Sequence, residues 1–79
     1  MVVYLLRSLS NPAKTYIGRT VNLHGRLTEH NSGKSAHTRR FGPWELVTSI
    51  FFSDPKRARD FESYLKHGSG HAFAQRHFW

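Results

Sequence analysis

The chain opens on an apolar, β-branched run, Val2-Val3-Tyr4-Leu5-Leu6, which predicts a strand over residues 2–7 closed by the turn chemistry of Ser8-Leu9-Ser10-Asn11-Pro12. Residues 14–18 read as a second strand. The separation suits an antiparallel hairpin with a long loop, which would bring Tyr4 and Tyr16 onto neighbouring strands. After Gly18, either Thr20 or Asn22 can cap a helix, and Leu23 and Leu27 repeat at the spacing of a buried stripe, so a helix is predicted to about Asn31. Arg26 and His30 share that spacing and project one turn apart, beside the leucines. Gly25 inside this helix costs about 1 kcal/mol relative to alanine, which points to a close approach there.

Residues 31–43 are polar, free of acids and carry Lys34, His37, Arg39 and Arg40, the pattern of an exposed basic loop. Residues 44–52 alternate as a third strand with Trp44, Leu46, Thr48, Ile50 and Phe52 on one face. Both of its faces are largely apolar, which predicts a central position in the sheet. Asp54-Pro55 is a helix start, Ala58, Phe61 and Leu65 form the buried stripe that follows, and Gly68 is the stop. Ser69-Gly70 reads as a break before a last short helix within 71–79 that buries Phe73, Ala74 and Phe78. The sum is an α+β fold, a three-stranded antiparallel sheet flanked by helices, expected as one domain over residues 1–79.

Composition narrows the function. Twelve Lys and Arg against five Asp and Glu give a net charge of +7, and the pI near 10.6 attracts polyanions, with nucleic acid ahead of a membrane surface. At 38% hydrophobic and 14% aromatic, the chain is too apolar for a disordered basic tail. It has no cysteine, which excludes disulfides, thiolate zinc sites and cysteine nucleophiles and makes the cytoplasm the expected location. The opening apolar run is far shorter than the ~20 residues that cross a bilayer.

Phosphodiester hydrolysis needs a proton acceptor for water, a cation for the charge growing on phosphate and, as a rule, a carboxylate-held metal. The acids Glu29, Glu45, Asp54, Asp60 and Glu62 include no Asp-x-Asp, so any metal would be held by one carboxylate. Magnesium tolerates this because it keeps several waters. Glu62 is the best candidate, with Asp54 used as a cap and Asp60 four residues after Lys56; an ordinary helical Glu beside Arg59 is the plainer alternative. Arg26 suits phosphate through paired hydrogen bonds, or a surface bridge to Glu29 worth less than ~1 kcal/mol. Tyr4 and Tyr16 are strand aromatics, or bases if cations lower their pKa from about 10. His67, His71 and His77 lack the partners of a zinc site.

Taken in order, Val3-Tyr4, Tyr16-Ile17-Gly18, Arg26, His30 and Glu62 resemble the GIY-YIG nuclease superfamily. The stretches His30-Asn31-x-Gly33-Lys34-Ser35 and 41–47 are similar to the small, free-standing bacterial members and to the structure-specific nuclease subunits. Val2-Val3 replaces the Gly-Ile of the first motif, and Gln75 or His77 would have to stand for a late asparagine. The resemblance implies DNA cleavage with one Mg2+ (or Mn2+) ion and Glu62 as its only protein ligand. It further implies Arg26 on the transition state, Tyr4 and Tyr16 flanking the attacking water, His30 where relatives carry His or Tyr, and Arg19 on phosphate.

With every residue absorbed by this core, no base-reading element is expected. Lys34, Arg39, Arg40, Arg57 and Arg59 would hold a backbone. Phe41, Trp44, Phe73 and Trp79 would stack on bases unless the core claims them, which favours single-stranded or branched DNA over duplex. The alternatives are a basic nucleic-acid-binding module without chemistry, a partner-dependent nuclease subunit and, more weakly, an RNase.

Overall fold

The computed structural model describes residues 1–79. Strands β1 (Val2–Ser8), β2 (Thr15–Thr20) and β3 (Trp44–Phe51) form an antiparallel sheet in the order β2-β1-β3. Helix α1 (Leu23–Asn31) follows β2, a single 3-10 turn (Arg39–Phe41) precedes β3, and α2 (Pro55–Lys66) and α3 (Gly68–His77) complete the chain. This is the predicted class.

The strand placed centrally by its pattern is not the central one. β1 holds that position, because it alone is buried on both faces. Val3 and Leu5 pack with Ala58, Leu65 and Ala74 of α2 and α3. Tyr4 and Leu6 turn the other way, onto Trp44, Leu23 and Leu27. β3 misleads because its alternation is interrupted: Leu5 pairs with Thr48 but Leu6 with Leu46, so Val47 is an extra residue in a bulge. Trp44 and Leu46 therefore share the α1 face, whereas Thr48 and Ile50 share the α2 face. Phe51, at the far end of this edge strand, is 71% exposed.

The helix ends follow local chemistry. Asn22 caps α1, its Oδ1 accepting from the Gly25 N–H at 3.1 Å. A Cβ on Gly25 would lie 2.6 Å from the Asn22 amide nitrogen, so the close approach inferred at this glycine is the cap itself. Asp54 caps α2 by accepting from the Lys56 N–H at 2.9 Å, with Pro55 in the first turn. α3 begins at Gly68, at φ +50°, earlier than its sequence suggests. Gly70 is helical and no break: a Cβ there would collide with the Tyr64 carbonyl, so glycine is what lets α3 turn back tightly against α2. No helix is long and apolar enough to cross a membrane.

Candidate active site

The pairing of β1 with β2 sets the site. Tyr4 lies opposite Gly18 and Leu6 opposite Tyr16, so the two tyrosines are diagonal neighbours on one face, ring centroids 6.1 Å apart. A Cβ on Gly18 would stand 2.6 Å from the Tyr4 hydroxyl and 2.8 Å from the Tyr16 ring. Only glycine leaves room for both rings. α1 crosses this face and delivers Arg26 and His30. The His30 ring sits 4.8 Å from that of Tyr16, and its Nε2 lies 2.8 Å from the Tyr4 hydroxyl.

Behind His30 stands a residue that sequence reasoning missed. Thr38 is fully buried, its Oγ1 2.6 Å from His30 Nδ1. Its carbonyl accepts from the Trp44 indole at 2.8 Å. Trp44 is held in turn by Asn31, whose side chain accepts from the Trp44 N–H at 2.6 Å and donates to its carbonyl at 3.1 Å. Thr38 lies in an aperiodic basic loop, where no spacing rule links it to a histidine on the preceding helix.

The electrostatics follow from burial. Tyr4 is 1% exposed, and its pKa is pushed up to about 12, chiefly by desolvation and next by the neighbouring Tyr16, with Arg26 working against the shift. The Arg26 pKa is raised, first by the neighbouring Tyr4 phenol. His30 is lowered by burial and then by the charge of Arg26, which keeps its imidazole neutral near pH 7. Arg26 also makes the expected bridge to Glu29, at 3.0 Å. The bridge and the phenol contact coexist.

Glu62 belongs to a second group. Arg19, opposite Val3, leaves the other face of β2 and reaches Glu62 Oε1 at 3.0 Å, while the Lys66 ammonium stands 2.7 Å from Oε2. The structure thus gathers Tyr4, Tyr16, Arg26 and His30 into one cluster and Glu62 with Arg19 into another. Tyr16 and Lys66 line one cavity of about 330 Å³, together with Ile17, His71, Gln75 and Trp79. No cage of three or more His, Cys, Asp or Glu residues forms. A single carboxylate still fits magnesium or manganese, ions that keep water and accept phosphate oxygen. Lys66 already places a cation on Oε2, and its side chain, 43% exposed, can swing into solvent.

Of the residues read as nucleic-acid contacts, Lys34, Arg39, Arg40 and Arg57 are exposed and pair with no acid. Arg59 lies 4.0 Å from Asp60. Trp44 is corrected: at 5% exposure, with its indole N–H taken by Thr38, it is core and offers no face to a base. Trp79 is half-buried, and Arg7 donates to its carbonyl at 2.7 Å and lies against its ring.

Residues 1–74 match the GIY-YIG catalytic domain. The chain is 39% identical over 72 residues to the structure-specific endonuclease subunit SLX1 of Debaryomyces hansenii, covering 82% of this chain and 21% of that protein. It is 38% identical to UPF0213 protein plu4503 of Photorhabdus laumondii (82% of this chain, 62% of that one) and 38% identical to UPF0213 protein CPE1444 of Clostridium perfringens (81% and 68%). Against the SLX1 relatives the chain spans only about a fifth to a quarter of their length.

Proposed function

The chain belongs to the GIY-YIG family, and on that premise we propose that it is a divalent-metal-dependent DNA endonuclease using one ion, with Glu62 as the only protein ligand. The observation that carries this reading is the meeting of Tyr4, Tyr16, Arg26 and His30 in one cluster, the rings in contact and Tyr4 bonded to His30. When bound, magnesium or manganese supplies Lewis-acid polarisation of the phosphate.

The chain's own residues divide the rest of the work. Tyr4 and Tyr16 stand side by side, but their surroundings differ. Burial keeps the proton on Tyr4 until about pH 12. Tyr16, half-buried and lining the cavity, is left as the partner of the attacking water, taking its proton once its own has passed to solvent. The water oxygen bonds to phosphorus, the bond from phosphorus to the leaving sugar oxygen breaks, and Arg26 meets the charge that develops on the phosphate. Gln75, on the cavity wall with Tyr16, is the residue best placed to stand for the family's late asparagine.

The substrate preference is argued from the same cavity. Its wall includes Tyr16, Lys66, His71 and Trp79 and no Asp or Glu. A base reaches such a wall only when it is unstacked from a duplex. Single-stranded or branched DNA is therefore the preferred substrate, without strong sequence specificity. The SLX1 relatives are named as subunits, which favours a second reading in which cleavage needs a protein partner.

Labelled single-stranded, branched and duplex oligonucleotides, incubated with magnesium, manganese or EDTA, test these statements. Cutting should need the ion and should vanish in Glu62→Gln while binding persists. Faster cutting of perfect duplex overturns the preference. If the wild type cuts no DNA with either ion but does so once a partner is added, the second reading replaces the first.

A further inference from the structure

We infer that Thr38 is a positioning residue that fixes His30 as the Nε2–H tautomer and thereby sets the direction of the hydrogen bonds running to the two tyrosines. The inference rests on the cluster proposed above as the active site, but its first test needs neither metal nor DNA.

Few partners are available to the hydrogens in this buried space. His30 and Thr38 are 1% and 0% exposed, and the only hydrogen-bond partner of Thr38 Oγ1 is His30 Nδ1, at 2.6 Å. If Nδ1 carried the ring proton and donated to Thr38, the threonine's own hydrogen would be buried with no acceptor, whereas the Tyr4 hydroxyl has a second neighbour in Tyr16. If instead Thr38 donates to a bare Nδ1, its hydrogen is used. The ring proton then lies on Nε2, 2.8 Å from the Tyr4 oxygen. The Thr38 backbone cannot drift, because its carbonyl is held by the Trp44 indole and its N–H donates to the Ser35 carbonyl.

The consequence runs forward along the chain of contacts. With Nε2–H donating into its oxygen, Tyr4 has no acceptor in His30, and its hydroxyl hydrogen is free to turn toward Tyr16. Thr38 then donates to His30 and His30 to Tyr4, and the Tyr4 hydrogen is left for Tyr16, its ring neighbour at 6.1 Å. Every hydrogen in the row points at the partner assigned to receive the proton of water. In the opposite tautomer Tyr4 would donate to His30, and its hydrogen would be lost to Tyr16. Thr38 touches neither water nor phosphate and acts only through His30.

The test is nitrogen-15 NMR of the histidine side chains in the metal-free protein, with the His30 signals identified by their absence in His30→Gln. The expected result is a protonated Nε2 and a bare Nδ1 at neutral pH. Thr38→Val keeps the shape without the hydroxyl and should give mixed tautomers. It should also slow cleavage by about ten- to a hundredfold, the scale on which outer partners of a working histidine act, with binding to a single-stranded oligonucleotide in EDTA unchanged. Thr38→Ser should restore both the spectrum and the rate and guards against misfolding of the valine variant. A wild-type ring protonated at Nδ1, or a Thr38→Val protein that keeps a pure Nε2–H tautomer, overturns the inference. A wild type that cuts no DNA, alone or with a partner, yet shows the Nε2–H ring refutes the nuclease reading and leaves this one standing.

Discussion

At the scale of single residues, the buried cluster ties stability to pH from both sides. His30 has a lowered pKa in the folded protein, so the unfolded chain binds the extra proton first. Its contribution is present above the unfolded value of about 6.5 and drains away as pH falls below it. Tyr4 is the reverse case, raised to about 12. Its contribution holds below the unfolded value of about 10 and is lost as pH rises toward 12. The melting temperature should therefore be highest between these limits, with the acid limb flattened in His30→Gln and the alkaline limb flattened in Tyr4→Phe. Thermal melts across pH 4–12 of the three proteins check this; matching limbs in all three would contradict it. The residues behind the effect were legible to different degrees. Tyr4 with Tyr16 and Arg26 with His30 stand on periodic elements, so each pair could be anticipated from spacing, while the meeting of the two pairs was implied by the family resemblance. Thr38 could not, because a loop has no period and its partner lies on another element.

At the scale of elements, the glycines and the bulge mark what sequence could and could not convey. Helix starts were readable because Asn22 and Asp54 act within a few residues of their own position. The rank of β3 was not, since one inserted residue at Val47 exchanges the faces of everything before it. Gly70 misled for a related reason: poor helix propensity reads as a break, whereas here the glycine is demanded by the packing of a neighbouring helix. Gly70→Ala decides between the two accounts. Propensity alone favours alanine by about 1 kcal/mol. The Cβ, however, meets the Tyr64 carbonyl, a backbone atom that cannot turn aside. Overpacking of this kind costs about 1–3 kcal/mol, so the variant should melt lower, by several degrees for a domain of this size. A higher melting temperature would show that α2 and α3 can separate at little cost.

At the scale of the whole molecule, a charge of +7 on a body only 28 × 25 × 18 Å should make salt the main control on the proposed nucleic-acid affinity. The unpaired cations of the loop, Lys34, Arg39 and Arg40, are the ones free to displace counterions. Each one changed to alanine should weaken binding to all sequences alike and reduce the slope of log affinity against log salt by about 1. Titrations between 50 and 300 mM salt with a labelled single strand, in EDTA, provide the measure. An unchanged slope in the triple variant would place the binding face elsewhere. By contrast, Arg19 and Lys66 are engaged with Glu62, so charge counting alone overstates the grip.

β2 is bonded to the sheet along one side only, and within it Tyr16, Gly18 and Arg19 serve two different clusters. Warming that merely frays this outer ribbon would scatter the tools of the reaction while the interior stays intact. Cutting should therefore fade at temperatures where circular dichroism still reports a folded protein, and return at once on cooling. Durability and competence are then separate properties of this molecule, and selection for one need not improve the other.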